Sequence, residues 1–336
     1  MRHRLFYDRG RFYKANLHSH STVSDGANTP EEMKACYKSC GYSILALTDH
    51  ELLVDHSGLD EDGFLMLPGY EYAIVEDKPY PYARTIELNL YPREPGNVTQ
   101  VCFDPQYVIH GEKWRCETLP RHGGPFRREY TAECIQKVVD EARANGFIVS
   151  LNHPAYSFET PDFFGRIRGF FAMEIHNQGS FYASSEYNAQ MYDRMLRMGH
   201  RISPLATDDN HRAYIYASPS DKRPWGFTMV GAASLSQTDV ISAMERGELY
   251  STQGPLINEV WVEDGKVGID CDAVKTIAMH TKNRFFGIAT APEGENISAA
   301  TFVLPPDDYL WFEIVDGFGR RANTRAYFSD EINAPR

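Results

Sequence analysis

Six short apolar runs in this 336-residue chain each lead into polar side chains of the types that bind metal ions. Short apolar runs separated by helical segments are typical of buried parallel strands. The carboxyl ends of such strands lie at one rim of an α/β fold, so we expect these polar side chains to gather there. The runs are residues 12–17, 44–47, 64–67, 147–151, 171–173 and 205–206, followed by His18 and His20, Asp49 and His50, Glu71, His153, Glu174 and His176, and Asp208, Asp209 and His211.

Helix signals lie between several of these runs. Thr29, Pro30 and Glu32 form a capping-box pattern with proline at the first helical position, and the helix it begins should end near Gly41. Further helices are predicted over residues 132–145, 185–198 and 236–246. Strands that alternate with helices predict an α/β barrel or a parallel sheet.

Two segments depart from this alternation. Residues from about 75 to 130 are rich in Pro, Tyr, Gly and Arg, and predict a long irregular insertion with one strand at 86–90. After Gly254 and Pro255, short alternating runs separated by turn residues predict a small antiparallel β-sandwich. We therefore expect a catalytic domain at 1–250 and a β-sandwich domain at 251–336.

Composition excludes some function classes. The formal net charge of −12 argues against stable nucleic-acid binding, which requires a basic surface. It leaves a phosphate substrate possible, because bound metal ions add positive charge that the sequence does not count. No apolar run approaches the roughly 20 residues that span a bilayer. The charged N-terminus lacks a signal peptide, so we expect a cytoplasmic protein with reduced cysteines and no membrane partner.

The candidate ligands form a mixed nitrogen and oxygen set. His18 and His20 lie on the same side of an extended chain and can chelate one ion, and Asp209 and His211 have the same spacing. Asp25, His50, Glu71 and His153 follow strands or turns, and no cysteine lies near them. Each motif alone is weak, but together they indicate one metal site that suits Zn, Mn or Fe.

The motif order His-x-His, Asp-Gly, Thr-Asp-His, Pro-Gly-x-Glu, His-Pro and Asp-x-His resembles the PHP (polymerase and histidinol phosphatase) family. The matching residues are His18, His20, Asp25, Asp49, His50, Glu71, His153, Pro154, Asp209 and His211. The resemblance covers residues 12 to 250, and the tail is similar to the β-rich extension of stand-alone family members. It implies a distorted (β/α)7 TIM-like barrel that holds two or three divalent metal ions.

Carried over by motif, the resemblance also implies a ligand set. His18, His20, Glu71 and Asp209 would hold one ion. Glu71 would bridge to a second ion held by His153, and a third would be held by the remaining ligands, Asp25, His50 and His211. Asp208 competes with Asp209 for the place before the histidine, although the Asp-x-His spacing favours Asp209.

This chain departs from the family pattern at one position. The family usually has a further histidine before a short apolar run between the Glu and His-Pro motifs, and here Glu87 stands in that place. Glu87, Asn89 or His110 could replace it. The identity of the second ion depends on which of them does so.

The resemblance implies hydrolysis of a small phosphate ester by a metal-activated water, with a nucleotide, a sugar phosphate or an amino-alcohol phosphate as candidate substrates. Asp49 could orient a ligand imidazole or cap a strand. Arg84, Arg127 and Arg128 could bind the phosphate. Tyr80 and Tyr82 could stack on a base or sugar. The rival hypotheses are an amidohydrolase-like enzyme that cuts a C–N bond and a non-catalytic binding module, and the oligomeric state stays open.

Overall fold

The computed structural model describes residues 2–6, 11–79, 81–179, 187–212 and 226–332, which form a mixed α/β protein with few helices and many strands. The α-helices are α1 (Pro30–Ser39), α2 (Ala132–Ala144), α3 (Pro161–Phe164), α4 (Ala189–Arg197), α5 (Gln237–Arg246) and α6 (Ser329–Ile332). The strands are β1 (His3–Arg4), β2 (Arg11–Asn16), β3 (Ile44–Leu47), β4 (Leu65–Pro68), β5 (Tyr70–Val75), β6 (Thr85–Pro92), β7 (Phe147–Leu151), β8 (Ala172–Asn177), β9 (Ser203–Thr207), β10 (Phe227–Ala232), β11 (Leu249–Thr252), β12 (Ile257–Glu263), β13 (Lys266–Val274), β14 (Thr276–Thr281), β15 (Gly287–Thr290), β16 (Ile297–Val303), β17 (Tyr309–Val315), β18 (Arg321–Thr324) and β19 (Tyr327–Phe328).

The helix boundaries follow the local signals in the sequence. Thr29 caps α1 by accepting a hydrogen bond from the Glu32 amide at 3.3 Å, and the Glu32 carboxylate accepts one from the Thr29 amide at 3.0 Å. This confirms the capping box. Gly247 ends α5 with a φ of 69°, a conformation that glycine adopts without a steric penalty. The start predicted for α4, at residue 185, lies outside the described residues.

The candidate site is built mainly from two sheets. In one, β2, β3 and β4 are parallel neighbours within a ten-stranded sheet. In the other, the order is β5-β6-β7-β8-β9, with β7, β8 and β9 parallel. The strand predicted at 86–90 is therefore present as β6, in the interior of the second sheet. Two isolated parallel bridges, His50 to Glu71 and Ser19 to Asn210, join the strand ends of the two sheets.

The sequence predicted a distorted (β/α)7 barrel, and the strand pairing around the site is parallel only in part. β5 pairs antiparallel with β6, and β6 pairs antiparallel with β7. The connection from β5 to β6 spans residues 76–84, which is too short for the crossover that parallel strands need. Across the described ranges, only isolated bridges join the two sheets, and no continuous ladder closes them.

The C-terminal strands enclose a separate apolar cluster. Its buried side chains come from the sheet β1-β12-β13-β16 and from the far end of the ten-stranded sheet. Leu5 and Phe6, from the N-terminal segment, also belong to this cluster, and β1 pairs with β12. The domain boundary near residue 250 stays a prediction. None of the described helices has the length and apolarity needed to span a membrane.

Candidate metal centre

Two buried imidazoles begin the site, directly after β2. His18 and His20 are both fully buried, and their Nε2 atoms lie 3.3 Å apart. Both point toward the same carboxylate, since the two Nε2 atoms lie 3.2 and 3.3 Å from the two oxygens of Glu71. Alternation along an extended chain places residues i and i+2 on one side, and this explains why the pair converges.

Glu71 lies at the centre of the cluster. It is 1% exposed, and its carboxylate lies 3.1 Å from His50 Nδ1 and 3.4 Å from His153 Nε2. The Asn152 side-chain amide donates a hydrogen bond to it at 2.7 Å. One carboxylate thus faces imidazoles from three strand ends, and its two oxygens could serve two neighbouring ions.

A second group of candidate ligands, Asp25, His50 and His211, surrounds the His20 ring. Asp25 Oδ1 lies 3.4 Å from His211 Nε2 and 3.7 Å from His20 Nδ1, and Asp25 Oδ2 lies 3.7 Å from His50 Nε2. The His20 ring stacks between those of His50 and His211, with centroid distances of 4.5 and 4.2 Å. These four residues offer donor atoms that all lie within 4.8 Å of one another.

Glu87 occupies the place where the family pattern has a histidine. Its carboxylate lies 3.5 Å from His153 Nε2, and it forms a group of candidate ligands with His50 and Glu71. Burial, together with the nearby Glu71 carboxylate, raises the pKa of Glu87 to about 7. Asn89 is buried and donates toward the Leu17 carbonyl, and His110 is exposed. Of the three candidates, the structure therefore brings Glu87 to the cluster.

The two neighbouring aspartates have different surroundings. Asp209 lies with its Oδ1 3.1 Å from His20 Nε2 and 3.4 Å from His18 Nε2. Asp208 points away, and accepts hydrogen bonds from Tyr37 and Asn16, each at 2.7 Å. Burial raises the pKa of Asp208 well above its ordinary value. Asp209 has a φ of 50°, so its backbone holds a disfavoured conformation where its carboxylate enters the cluster.

Glu174 has a positioning role that sequence reasoning missed, because the residue suggested only ordinary loop polarity. It is 2% exposed, and its Oε1 accepts hydrogen bonds from His18 Nδ1 and Thr207 Oγ1, each at 2.8 Å. Its Oε2 accepts from the His153 amide at 2.8 Å. The one available signal was the position of Glu174 directly after the fifth apolar run. Such a partner sets the tautomer and orientation of a ligand imidazole.

The sequence left two roles open for Asp49, and its contacts in the structure favour the cap. Its carboxylate accepts hydrogen bonds from the amides and hydroxyls of Ser21 and Ser24, at 2.7, 2.8, 3.2 and 2.8 Å. Asp49 is thus a positioning residue for the turn between His20 and Asp25. Asn and Asp caps of this kind are common where a strand gives way to a turn.

The arginines expected to bind phosphate are engaged elsewhere. Arg128 makes a two-pronged ion pair with Glu51, at 2.5 and 2.6 Å, and its guanidinium stacks on the Tyr72 ring at 3.7 Å. Arg84 pairs with Glu76 at 2.9 Å and with Glu159 at 2.5 Å. Arg127 is exposed. Arg84 and Arg128 both form ion pairs outside the cavity lining, and among the described residues no Arg or Lys lines the cavity.

The cluster opens into a cavity of about 310 Å³. Seven of the candidate ligands line it, together with two other described residues, Tyr156 and Gly179. Tyr82 is 76% exposed and lies outside this lining, and Tyr80 falls outside the described residues. A cavity of this size matches the lower end of the range for small-molecule sites.

The residues present suit a cluster of divalent ions. Nine side chains form four overlapping groups whose donor atoms lie within 4.8 Å of one another. Four carboxylates gathered among five imidazoles would repel one another strongly without positive charge between them. Mixed imidazole and carboxylate donors suit Zn, Mn or Fe, and a buried set of this kind is paired or binds metal. The nine residues are His18, His20, Asp25, His50, Glu71, Glu87, His153, Asp209 and His211.

Comparison with known proteins found remote structural similarities. No protein-family model and no curated protein matches the chain. A two-domain protein from Bacteroides vulgatus, containing a predicted PHP-like metal-dependent phosphoesterase, is 12% identical, with 97% of each chain covered and a TM-score of 0.48. A protein from Bifidobacterium adolescentis, named as a candidate metal-dependent phosphoesterase, is 14% identical over 59% of this chain and 87% of that chain, with a TM-score of 0.37. An amidohydrolase from Chromobacterium violaceum is 14% identical over 59% of this chain and 87% of that chain, with a TM-score of 0.36.

Proposed function

We propose that this protein is a metal-dependent hydrolase that cleaves a small-molecule phosphate ester at a site of two or three divalent ions. The observation that carries the proposal is the convergence of nine nitrogen and oxygen ligands, from distant parts of the chain, around one cavity. A structural ion needs a closed set of ligands, whereas this set faces open space that a substrate can enter.

The ligand groups suggest how the ions would be shared. His18, His20 and Glu71 would hold one ion together with Asp209, and Glu71 would bridge to another. Asp25, His50 and His211 would hold a further ion, with His20 close by. Glu87 and His153 complete the side of the cluster beside Glu71.

Divalent ions held by these residues would supply positive charge to stabilise a phosphoryl transition state, and would make water a stronger nucleophile near neutral pH. The protein contributes rigid placement of the ligands. Glu174 holds His18 with its Nε2 toward the cluster, and Asp49 holds the turn that leads to Asp25.

We also propose that the strands whose ends surround the cluster form a distorted TIM-like barrel. The C-terminal strands would form a β-sandwich.

The size of the cavity favours a small-molecule substrate. Its volume of about 310 Å³ is enough for a phosphate and one attached group. The net charge of −12 is compatible with an anionic substrate only if bound ions supply local positive charge. A mononucleotide or a sugar phosphate meets both conditions.

Metal reconstitution tests the proposal. The purified protein is stripped with a chelator, reloaded separately with Mn, Zn or Fe, and assayed for phosphate release from a panel of phosphate esters and for cleavage of cyclic amides. We expect phosphate release that is lost on stripping and restored by at least one metal. Glu71→Gln should lower the rate by 100-fold or more, roughly the effect of losing a bridging ligand. The matched control is Glu61→Gln, which changes a surface carboxylate paired with Lys34.

Three results would reject the proposal. Full activity after verified metal removal would exclude a metal-dependent reaction. Cleavage of cyclic amides without phosphate release would assign the site to C–N hydrolysis, although no lysine of the kind that amidohydrolases carbamylate lines the described part of the cavity. A protein that stays free of metal under all conditions would be a non-catalytic module.

A further inference from the structure

Tyr156 is the described cavity residue most suited to contact the part of a substrate beyond its phosphate. Apart from Gly179, every other described lining residue belongs to the set of nine candidate ligands. The Tyr156 ring lies edge to face with the ring of His153, at a centroid distance of 5.4 Å and an angle of 86°. Tyr156 therefore contacts the ring of one candidate ligand, and it is 46% exposed.

Phe158 lies next to Tyr156 and adds a second exposed aromatic ring. Its ring centroid lies 6.1 Å from that of Tyr156, and it is 60% exposed. One exposed aromatic side chain is common on protein surfaces. Two adjacent exposed rings, one of which lines a polar cavity, form an apolar patch of the kind that marks a binding site.

The backbone holds this pair in place at an energetic cost. Phe158 has a φ of 54°, a left-handed conformation that bulky residues rarely adopt. The amides of Tyr156 and Ser157 donate to the His153 carbonyl at 2.9 and 3.2 Å, so the turn is tied to a candidate ligand. A strained backbone and exposed apolar side chains both lower the stability of the folded protein. Backbone strain of this kind is concentrated at ligand-binding sites.

We propose that Tyr156 and Phe158 form a subsite that stacks on a planar ring carried by the alcohol of the phosphate ester. This inference rests on the proposed phosphoesterase function and specifies its substrate class. Aromatic side chains stack on planar π systems with little dependence on the substituents, so a nucleobase and a simple aryl ring share the required chemistry. A saturated ring of the same size lacks the flat face that such stacking needs.

Matched pairs of phosphate monoesters test the subsite. Phenethyl phosphate is compared with 2-cyclohexylethyl phosphate, and adenosine 5′-monophosphate with methyl riboside 5-phosphate. Each pair shares a primary-alcohol leaving group and differs in the planar ring. The metal-loaded protein should have a kcat/KM about tenfold higher for the planar member of at least one pair, with the difference mainly in KM. A preference within the first pair would indicate a subsite for an aryl ring. A preference within the second pair alone would indicate a subsite for a nucleobase.

Variants connect the preference to the named residues. Tyr156→Leu should lower the planar-to-saturated ratio of kcat/KM by about tenfold, since the stacking face is lost. Tyr156→Phe should keep the ratio, because the ring remains. Tyr82→Leu is the matched control, because Tyr82 is exposed but is not among the residues that line the cavity. The planar-to-saturated ratio of kcat/KM in this variant should equal that of the wild type.

Two kinds of failure are distinguishable. Equal kcat/KM within both pairs, or an unchanged ratio in Tyr156→Leu, would overturn the aromatic subsite while the phosphoesterase proposal stands. No phosphate release from any ester with any metal would overturn the proposed function and the subsite together.

Discussion

The Nδ1 atom of His18 donates a hydrogen bond to Glu174 Oε1 at 2.8 Å, and this bond leaves Nε2 of the same ring facing Glu71 at 3.2 Å. Glu174 is ionised in this setting: burial opposes ionisation, but the neighbouring His18 lowers the pKa of the carboxyl below its ordinary value. A carboxylate in this position fixes the ring and increases its basicity as a ligand.

Replacing Glu174 should therefore weaken metal binding without removing a ligand. We expect Glu174→Gln to lower the affinity for Mn or Zn by about 10- to 100-fold, measured by calorimetric titration of the stripped protein. Glu245→Gln, which alters a surface carboxylate paired with Arg93, should bind metal as the wild type does. Unchanged affinity in Glu174→Gln would show that the His18 ring is held by its other neighbours.

The buried ion pair between Arg128 and Glu51 should matter for stability. Arg128→Met leaves the Glu51 carboxylate, 3% exposed, without its guanidinium partner, and should lower the free energy of unfolding by about 3–5 kcal/mol in urea titrations. Its exposed neighbour gives the control, since Arg127→Met should change this free energy by less than about 0.5 kcal/mol. A variant with wild-type stability but a large loss of kcat/KM would instead support the phosphate-binding role predicted from the sequence.

The turn that carries Asp25 has no space for a side chain at Gly26. A Cβ atom added there would lie 2.6 Å from the backbone carbonyl carbon and oxygen of His20. Gly26→Ala should shift this turn, lower the metal content measured by elemental analysis, and lower the free energy of unfolding by about 1–3 kcal/mol. Gly58→Ala is the control, since a Cβ at Gly58 meets nothing within 4 Å. Equal metal content in both variants would contradict this account of the turn.

Stability should decrease in mild acid partly through His200. Burial, and then the nearby Arg168 guanidinium, lower the pKa of His200 from 6.5 to about 4. Between these values the unfolded chain binds a proton that the folded protein excludes, so the stability gained from neutral His200 is present above pH 6.5 and is lost as the pH falls toward 4.

Urea titrations at pH 7 and pH 5 measure this effect. The free energy of unfolding should fall less in His200→Gln than in the wild type, because the substituted side chain takes up no proton. His122→Gln, at an exposed position, should keep the wild-type difference between the two pH values. Identical pH dependence in all three proteins would mean that His200 is protonated without cost in the folded state.

Local signals in the sequence predicted several of the individual elements and, together with the family resemblance, the set of candidate ligands. The capping box at Thr29 and the stop at Gly247 depend on hydrogen bonds and backbone angles within a few residues. The His18 and His20 pair lies on one side of its strand because side chains alternate along extended chain. Apolar runs followed by polar residues indicated where strands end. This signal does not depend on which strands pair with one another.

The partners of each side chain were decided only in three dimensions. His18 and Glu174 are 156 positions apart, and Arg128 and Glu51 are 77 apart, so no local pattern links either pair. Their meeting depends on which sheets form and on where a short connection makes β5 and β6 antiparallel. A sequence specifies local conformation through atoms that are neighbours along the chain, whereas pairing across the fold depends on the packing of whole elements. For this reason the candidate ligands could be predicted from the sequence, but the residues that position them could not.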